Sequence, residues 1–131
     1  MNTASSAGPA RAADLRPGIP LLAAAPGPLD DAAAEQLGDV LDETLDRHPW
    51  GVVLDLSGVD EMSPAGVEML VRAAVRAGRL DVGLCPVPSD AVLAAIAGAG
   101  LRELFDLHAG IDEALAALGV APGAPARATP A

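Results

Sequence analysis

Lysine and tyrosine are missing from this 131-residue chain, and it holds one cysteine, one tryptophan and one phenylalanine. Without lysine, and with no GxGxxG, the phosphate-cradling loops of the common nucleotide enzymes are excluded. Aromatics at 2% leave no stacking platform for single-stranded nucleic acid, and force the core to be aliphatic. The lone Cys85 rules out an intrachain disulfide framework. It lies in an apolar run and reads as a buried, inert thiol, so a cytoplasmic location is the default expectation. The two histidines, His48 and His108, stand far apart in sequence, and Cys85 has no partner at ligand spacing. No metal site and no cofactor are expected on that basis. No run of about 20 apolar residues is present, so membrane insertion is not expected. The opening MNTASSAGPARAADL lacks both a basic and a continuous apolar region, so no secretory signal is expected either.

Positive charge is scarce too. Eight arginines face 18 acidic residues, for a formal charge of -10. Apart from Arg72, Arg76 and Arg79 the arginines are scattered, so direct nucleic-acid binding is not expected. A basic protein surface suits this acidic chain better.

What the chain does have is apolar content, 51% hydrophobic residues against 20% charged, enough for one small domain. Residues 1–14 carry no packing period and read as a flexible tail, residues 15–118 as the domain, and residues 119–131 as an Ala/Pro-rich flexible tail. Ile19 to Ala25 suits a strand, with Pro20 arguing for an edge position. Leu29 to Arg47 has a helical period, with Ala33, Leu37, Val40 and Leu41 on one stripe and an acidic ribbon opposite. Val52 to Leu56 is too continuous for a half-wet strand and fits a central one, interrupted by Asp55 near its C-terminal end. Ser57 to Met62 reads as a loop. Ser63 is placed to cap a helix with Pro64 at its first position, running to about Ala77, with Gly78 as its stop. Along it Glu68, Arg72 and Arg76 are spaced for pairing. Leu80 to Cys85 reads as a strand closed by Pro86 and Pro88. A helix capped at Ser89 or Asp90 follows, then a strand-like Leu104 to Leu107 and a last helix around Ile111 to Leu118. The alternation implies an α/β fold, a mostly parallel or mixed sheet of four to five strands with about four helices.

Chemistry has few places to sit. Asp30, Asp55, Asp60 and Glu61 could converge for acid/base work or to hold magnesium, but such coincidences are common in so acidic a chain. Neither Ser57 nor Ser63 lies in a GxSxG elbow. No enzymatic activity is expected. The feature that stands out is the helix start Ser63-Pro64-Ala65-Gly66, whose free amides can receive a partner's carboxylate. Met62 precedes it, and Met69, taken as exposed, would add an adaptable apolar contact.

Read in order, Gly27-Pro28-Leu29-Asp30, Val52 to Val59, Met62-Ser63-Pro64-Ala65-Gly66-Val67, and Gly100 to Phe105 with Glu113-Ala114-Leu115 resemble a STAS domain of the anti-sigma factor antagonist type. The resemblance implies a small, non-enzymatic STAS-like α/β protein that binds a serine-kinase anti-sigma factor. It also implies a switch, phosphorylation of a Ser or Thr at the start of the second helix. That family has Asp-Ser-Ser-Gly or Asp-Ser-Thr-Gly there. Here Ser63 stands at the Asp, Pro64 at the first Ser, Ala65 at the phosphorylated position and Gly66 at the Gly. Ala65 is thus a degenerate phosphosite. The partner-binding face expected from the resemblance comprises Asp30, Asp55, Asp60, Met62, Ser63, Pro64, Ala65, Gly66, Met69 and Arg72. Alternative roles are a STAS subunit supporting an ATPase of a lipid-transport system, or a scaffold in a signalling assembly.

Overall fold

A computed structural model describes residues 10–16 and 18–119. In chain order the elements are strand β1 (Ala10–Arg16), β2 (Ile19–Ala24), β3 (Gly27–Leu29), helix α1 (Asp31–Asp46), β4 (Gly51–Leu56), β5 (Val59–Met62), α2 (Pro64–Leu80), β6 (Gly83–Pro88), α3 (Asp90–Gly98), a 3-10 turn (Arg102–Leu104) and α4 (Ile111–Ala117). Four strands form one sheet in the order β1-β2-β4-β6, and β3 pairs with β5 in a two-stranded sheet. β2, β4 and β6 run parallel, and β1 is antiparallel to β2. This is the mixed α/β architecture that alternating strand and helix patterns imply.

The central strand follows from its composition. In β4, Val52, Val53, Leu54 and Leu56 are all fully buried, as a strand covered on both faces must be. Leu54 belongs to the larger core, with Leu37, Leu41 and Leu45 of α1, Leu70 and Ala73 of α2, and Val92 and Ile96 of α3. Val53 points the other way, into a smaller core with Ile19, Cys85, Val87, Ala114 and Leu115. Helix α4 covers that second face. Its exit residue Leu118 sits over Gly51 and Gly83, where an added Cβ would lie 2.7 and 2.5 Å from the leucine side chain. Trp50 Nε1 donates to the Leu118 carbonyl at 3.1 Å and fastens the same end.

The two long helices begin and end for local reasons. Asp30 caps α1 by accepting from the Ala33 amide at 2.9 Å, and Ser63 caps α2 by accepting from the Gly66 amide at 3.2 Å. Buried Thr44 satisfies its hydroxyl on the Val40 carbonyl at 2.8 Å. Arg76 of α2 reaches α1, pairing with Asp42 at 3.0 Å and also with Asp46. Hydrogen bonding to Asp46 raises the guanidinium pKa; desolvation, next in size, opposes it, and the Asp42 hydrogen bond adds to the rise. Pairing of Glu68 with Arg72 or Arg76 was the sequence expectation; among the described residues Arg76 pairs across the helix interface instead.

The structure corrects the sequence reading at six places. Residues 10–14, expected within the N-terminal tail, belong to β1. Residues 1–9 and 120–131, most of both expected tails, lie outside the described residues. β2 has neighbours on both sides, so Pro20 is not on an edge strand; the register shift between Asp14 and Arg16 opposite it accommodates the missing amide hydrogen. Val59–Met62, expected as loop, is β5, paired in parallel with the equally unforeseen β3. Helix α2 runs through Gly78 and stops at Asp81, which takes the left-handed conformation that a short polar side chain tolerates. Pro86 and Pro88 lie inside β6 instead of closing a strand at Cys85. Finally, residues 104–107 form no strand. The Pro86 carbonyl points to the outer edge of β6, where it accepts from the His108 amide at 3.1 Å. By the two-residue period Pro88 faces that edge as well, so two of the donors a further strand would need are absent, and the chain turns through a 3-10 segment instead.

Candidate functional site

The turn from β5 into α2 is built by short-range bonds. Met62 is in register with Leu29 of β3, and the Ser63 amide donates to the Leu29 carbonyl at 3.1 Å. This fixes Ser63 in the extended conformation that a cap requires. Pro64 then takes the first helical position, where a missing N–H costs nothing. The Gly66 and Val67 amides both turn back to the Ser63 carbonyl, at 2.9 and 3.2 Å. No group inside the described chain takes the Ala65 N–H. Gly66 is buried, and a Cβ there would stand 3.1 Å from Met62 Cγ and 3.3 Å from Leu29 Cδ2. A side chain here would require Met62 and Leu29 to give by a few tenths of an ångström, so glycine suits this close approach of the helix start to β3 and β5.

An open groove of about 290 Å³ lies beside the turn, lined by Pro28, Leu29, Asp30, Glu61, Met62, Ser63 and Pro64. Of the ten residues expected on the binding face, it brings together Asp30, Met62, Ser63 and Pro64. Ala65, half-buried, and buried Gly66 continue directly from it. Asp60 is exposed on β5 outside the groove lining. Asp55 ends β4, and its Oδ1 accepts from the Ser57 amide at 3.0 Å and the Ser57 hydroxyl at 2.6 Å, so it shapes the β4–β5 turn. Met69 is 2% exposed and packs where a Cβ on Gly38 would meet it at 3.1 Å, so the expected exposed contact is a core residue. Arg72 is exposed elsewhere, over a small hollow between α1 and α2 with Glu35, Asp39 and Asp42. Sequence reasoning missed Pro28, Leu29 and Glu61 as lining residues, because β3 and β5 are too short to show a period.

Removing the cap tests this geometry. Ser63→Ala is expected to lower stability by about 1 kcal/mol, through loss of the bond to the Gly66 amide. Ser63→Asp, which also accepts, should recover most of it in the same thermal unfolding measurement. Equal stability in all three proteins would mean the cap bond contributes nothing.

A second cluster lies on the far side of β6. Ligand atoms of Cys85, Asp106 and His108 all fall within 4.8 Å of one another. Burial, then the Asp106 charge, pushes the Cys85 thiol up to about 11. His108 Nε2 lies 3.1 Å from Asp106 Oδ2, yet the pair is out of hydrogen-bond alignment and this buried nitrogen has no hydrogen-bond partner. The sequence reading took His108 as isolated and Cys85 as without a partner. The structure overturns that, because the 3-10 turn folds residues 106–108 back along β6.

A family model described as "Mlab, STAS domain" matches residues 20–108. The chain belongs to the STAS domain family. Comparison with curated proteins found no match. Among solved structures, the STAS chain is similar to an anti-sigma factor antagonist from Mycobacterium paratuberculosis, with 24% identity, a TM-score of 0.75, and coverage of 84% of this chain and 92% of that one. It is similar to TM1081 from Thermotoga maritima, with 18% identity, a TM-score of 0.71, and 85% and 93% covered. It also resembles the anti-sigma factor antagonist SpoIIAA in its unphosphorylated form, with 14% identity, a TM-score of 0.67, and 85% and 97% covered. These likenesses establish the fold of this STAS domain. No helix among the described residues is long and apolar enough to cross a membrane.

Proposed function

We propose that this STAS domain is a non-enzymatic protein-binding module of the cytoplasm that engages a kinase-type anti-sigma factor through the start of α2 and the adjoining groove. One observation carries the reading: the helix start, capped by Ser63 and exposed at Pro64, carries a half-buried Ala65 whose N–H is unpaired. Such an amide, at the positive end of a helix, suits a carboxylate or carbonyl of a partner. The groove beside it supplies apolar contact through Leu29 and Met62, with Asp30 and Glu61 for a basic rim. Asp60, exposed beside Glu61 on β5, adds a third carboxylate to face a basic partner surface. Asp55 and Gly66 act indirectly, by shaping the turns. The fold likeness to anti-sigma factor antagonists supports the partner class.

Ala65 has no hydroxyl, so the about two negative charges that a phosphoryl group brings cannot be added there. The module therefore binds without a phosphoswitch. That feature also favours a second reading, a STAS subunit supporting a transporter ATPase, because such a role needs no phosphoacceptor.

Affinity capture of the tagged protein from its own cells, followed by mass spectrometry, separates the two. An anti-sigma factor with a kinase fold is the expected catch, and a transporter ATPase would establish the second reading in its place. With the captured kinase, the wild type should take up no phosphate, whereas Ala65→Ser should be phosphorylated and lose affinity. Phosphate on wild-type Ser63 would overturn the claim that the switch is absent.

A further inference from the structure

The 3-10 turn brings three chemically different donors to one spot beside β6. Cys85 offers a thiol from the strand, His108 a ring nitrogen from the segment that bonds to Pro86, and Asp106 a carboxylate from the solvent side. We propose that Cys85, Asp106 and His108 form a binding site for a single zinc-class divalent transition-metal ion.

The geometry and the donor chemistry agree on this. In a tetrahedral zinc site, bond lengths of about 2.0–2.3 Å put ligand atoms about 3.3–3.6 Å apart. Here Nε2 and Oδ2 are 3.1 Å apart, and the whole set lies within 4.8 Å. Asp106 has a side chain 69% exposed, so rotation of that carboxylate closes the set without moving the core. Its exposure also gives the ion a way in from solvent. Cys85 and His108 are held more firmly, the first in a paired strand and the second by its amide bond to Pro86.

The second observation is the state of His108. Its Nε2 is buried and has no hydrogen-bond partner. A buried polar atom left unsatisfied costs about 1–3 kcal/mol, and an ion held between Nε2, the Asp106 carboxylate and the Cys85 thiol removes that cost. A cysteine merely packed in the core would not have an imidazole and a carboxylate converging on it.

The donor set selects the ion. Thiolate and imidazole favour zinc and its transition-metal neighbours over magnesium and calcium, which take oxygen ligands. Binding releases the thiol proton to water, leaving one thiolate, one carboxylate and a neutral imidazole. Their two negative charges balance a divalent cation. Three protein ligands leave a fourth position for water. The site is separate from the β5–α2 turn and does not depend on the function proposed there.

Untagged protein titrated with Co²⁺, followed by displacement with Zn²⁺, tests the proposal. One equivalent of Co²⁺ is expected to bind, with the thiolate-to-metal charge-transfer band that only cysteine ligation produces. Cys85→Ser should abolish the band. His108→Gln and Asp106→Asn should each weaken Zn²⁺ binding by more than about tenfold, against a chromophoric chelator, since even supporting groups of metal sites have effects of that size. His48→Gln, at an exposed residue, is the control and should leave affinity unchanged. Because Asp106 is exposed, its variant keeps the test valid if the two buried substitutions unfold the protein. Absence of Co²⁺ binding, binding without the thiolate band, or undiminished affinity in Asp106→Asn would each overturn the site.

Discussion

Leu54→Ala is expected to lower the thermal midpoint by on the order of 10 °C, the largest stability effect foreseen for this domain. Leu54 has no solvent exposure and sits in the central strand β4, which pairs with β2 on one side and β6 on the other. Its side chain enters the core shared by α1, α2 and α3. Truncating such a leucine costs about 2–5 kcal/mol, through lost transfer energy and the cavity left behind. A small domain has only about 5–15 kcal/mol in total, so a third or so of the margin disappears. Val53→Ala, one residue away, empties the other core instead. It removes less volume and should cost less, while loosening α4 enough to change the emission of Trp50, which is bonded to that helix's exit. Differential scanning calorimetry with tryptophan fluorescence measures both. Equal midpoints for Leu54→Ala and the wild type would mean that the two-core description is wrong.

Ala65→Glu should separate binding from folding. Ala65 lies in the first turn of α2, where a carboxylate is favourable to the helix dipole by about 0.3–1 kcal/mol. Ala65 is half-buried against the core, so this gain offsets the cost of fitting a larger side chain, and the midpoint of unfolding should stay near the wild-type value. At the same place a partner would have to cover the new charge. A charged group left buried and unpaired costs about 1–3 kcal/mol or more, so capture of the partner should fall by at least about tenfold. The comparison is quantitative capture of the same partner by wild type and variant at matched concentrations. Undiminished capture by a well-folded Ala65→Glu protein would remove the start of α2 from the interface, whatever the partner proves to be.

Legibility from sequence depended on how many residues carried each signal. The run Val52 to Leu56 announced a central strand because every residue but Asp55 is apolar. Helices α1 and α2 were readable from four or more turns of period, and Ser63 from its place before Pro64. Strands β3 and β5 were not, since three and four residues cannot display an alternation, and each is held by the other more than by its own pattern. β1 is rich in small and charged residues and owes its form to pairing with β2. The expected binding face was legible in part: its contiguous stretch from Met62 to Gly66 comes from one turn, whereas Met69 was misread. One helical turn beyond Gly66, it faces Gly38 of α1, and no feature of the α2 sequence alone reveals that neighbour. The meeting of Cys85 with Asp106 and His108 was hidden for a related reason. About twenty residues separate the strand from the returning segment, and the prolines that shape that return looked like terminators.

Those prolines bear on how the molecule behaves when crowded. Sheets join between molecules by lending amide hydrogens across an open margin, and Pro86 and Pro88 have none to lend. The opposite margin is β1, which has a sheet neighbour on one side only. Within the four-stranded sheet, backbone-to-backbone stacking of copies is thus directed to that margin. Two chains that meet there each present a proline-lined rim outward, and a third finds no place to continue. Association through this sheet is therefore self-terminating, closing at a pair.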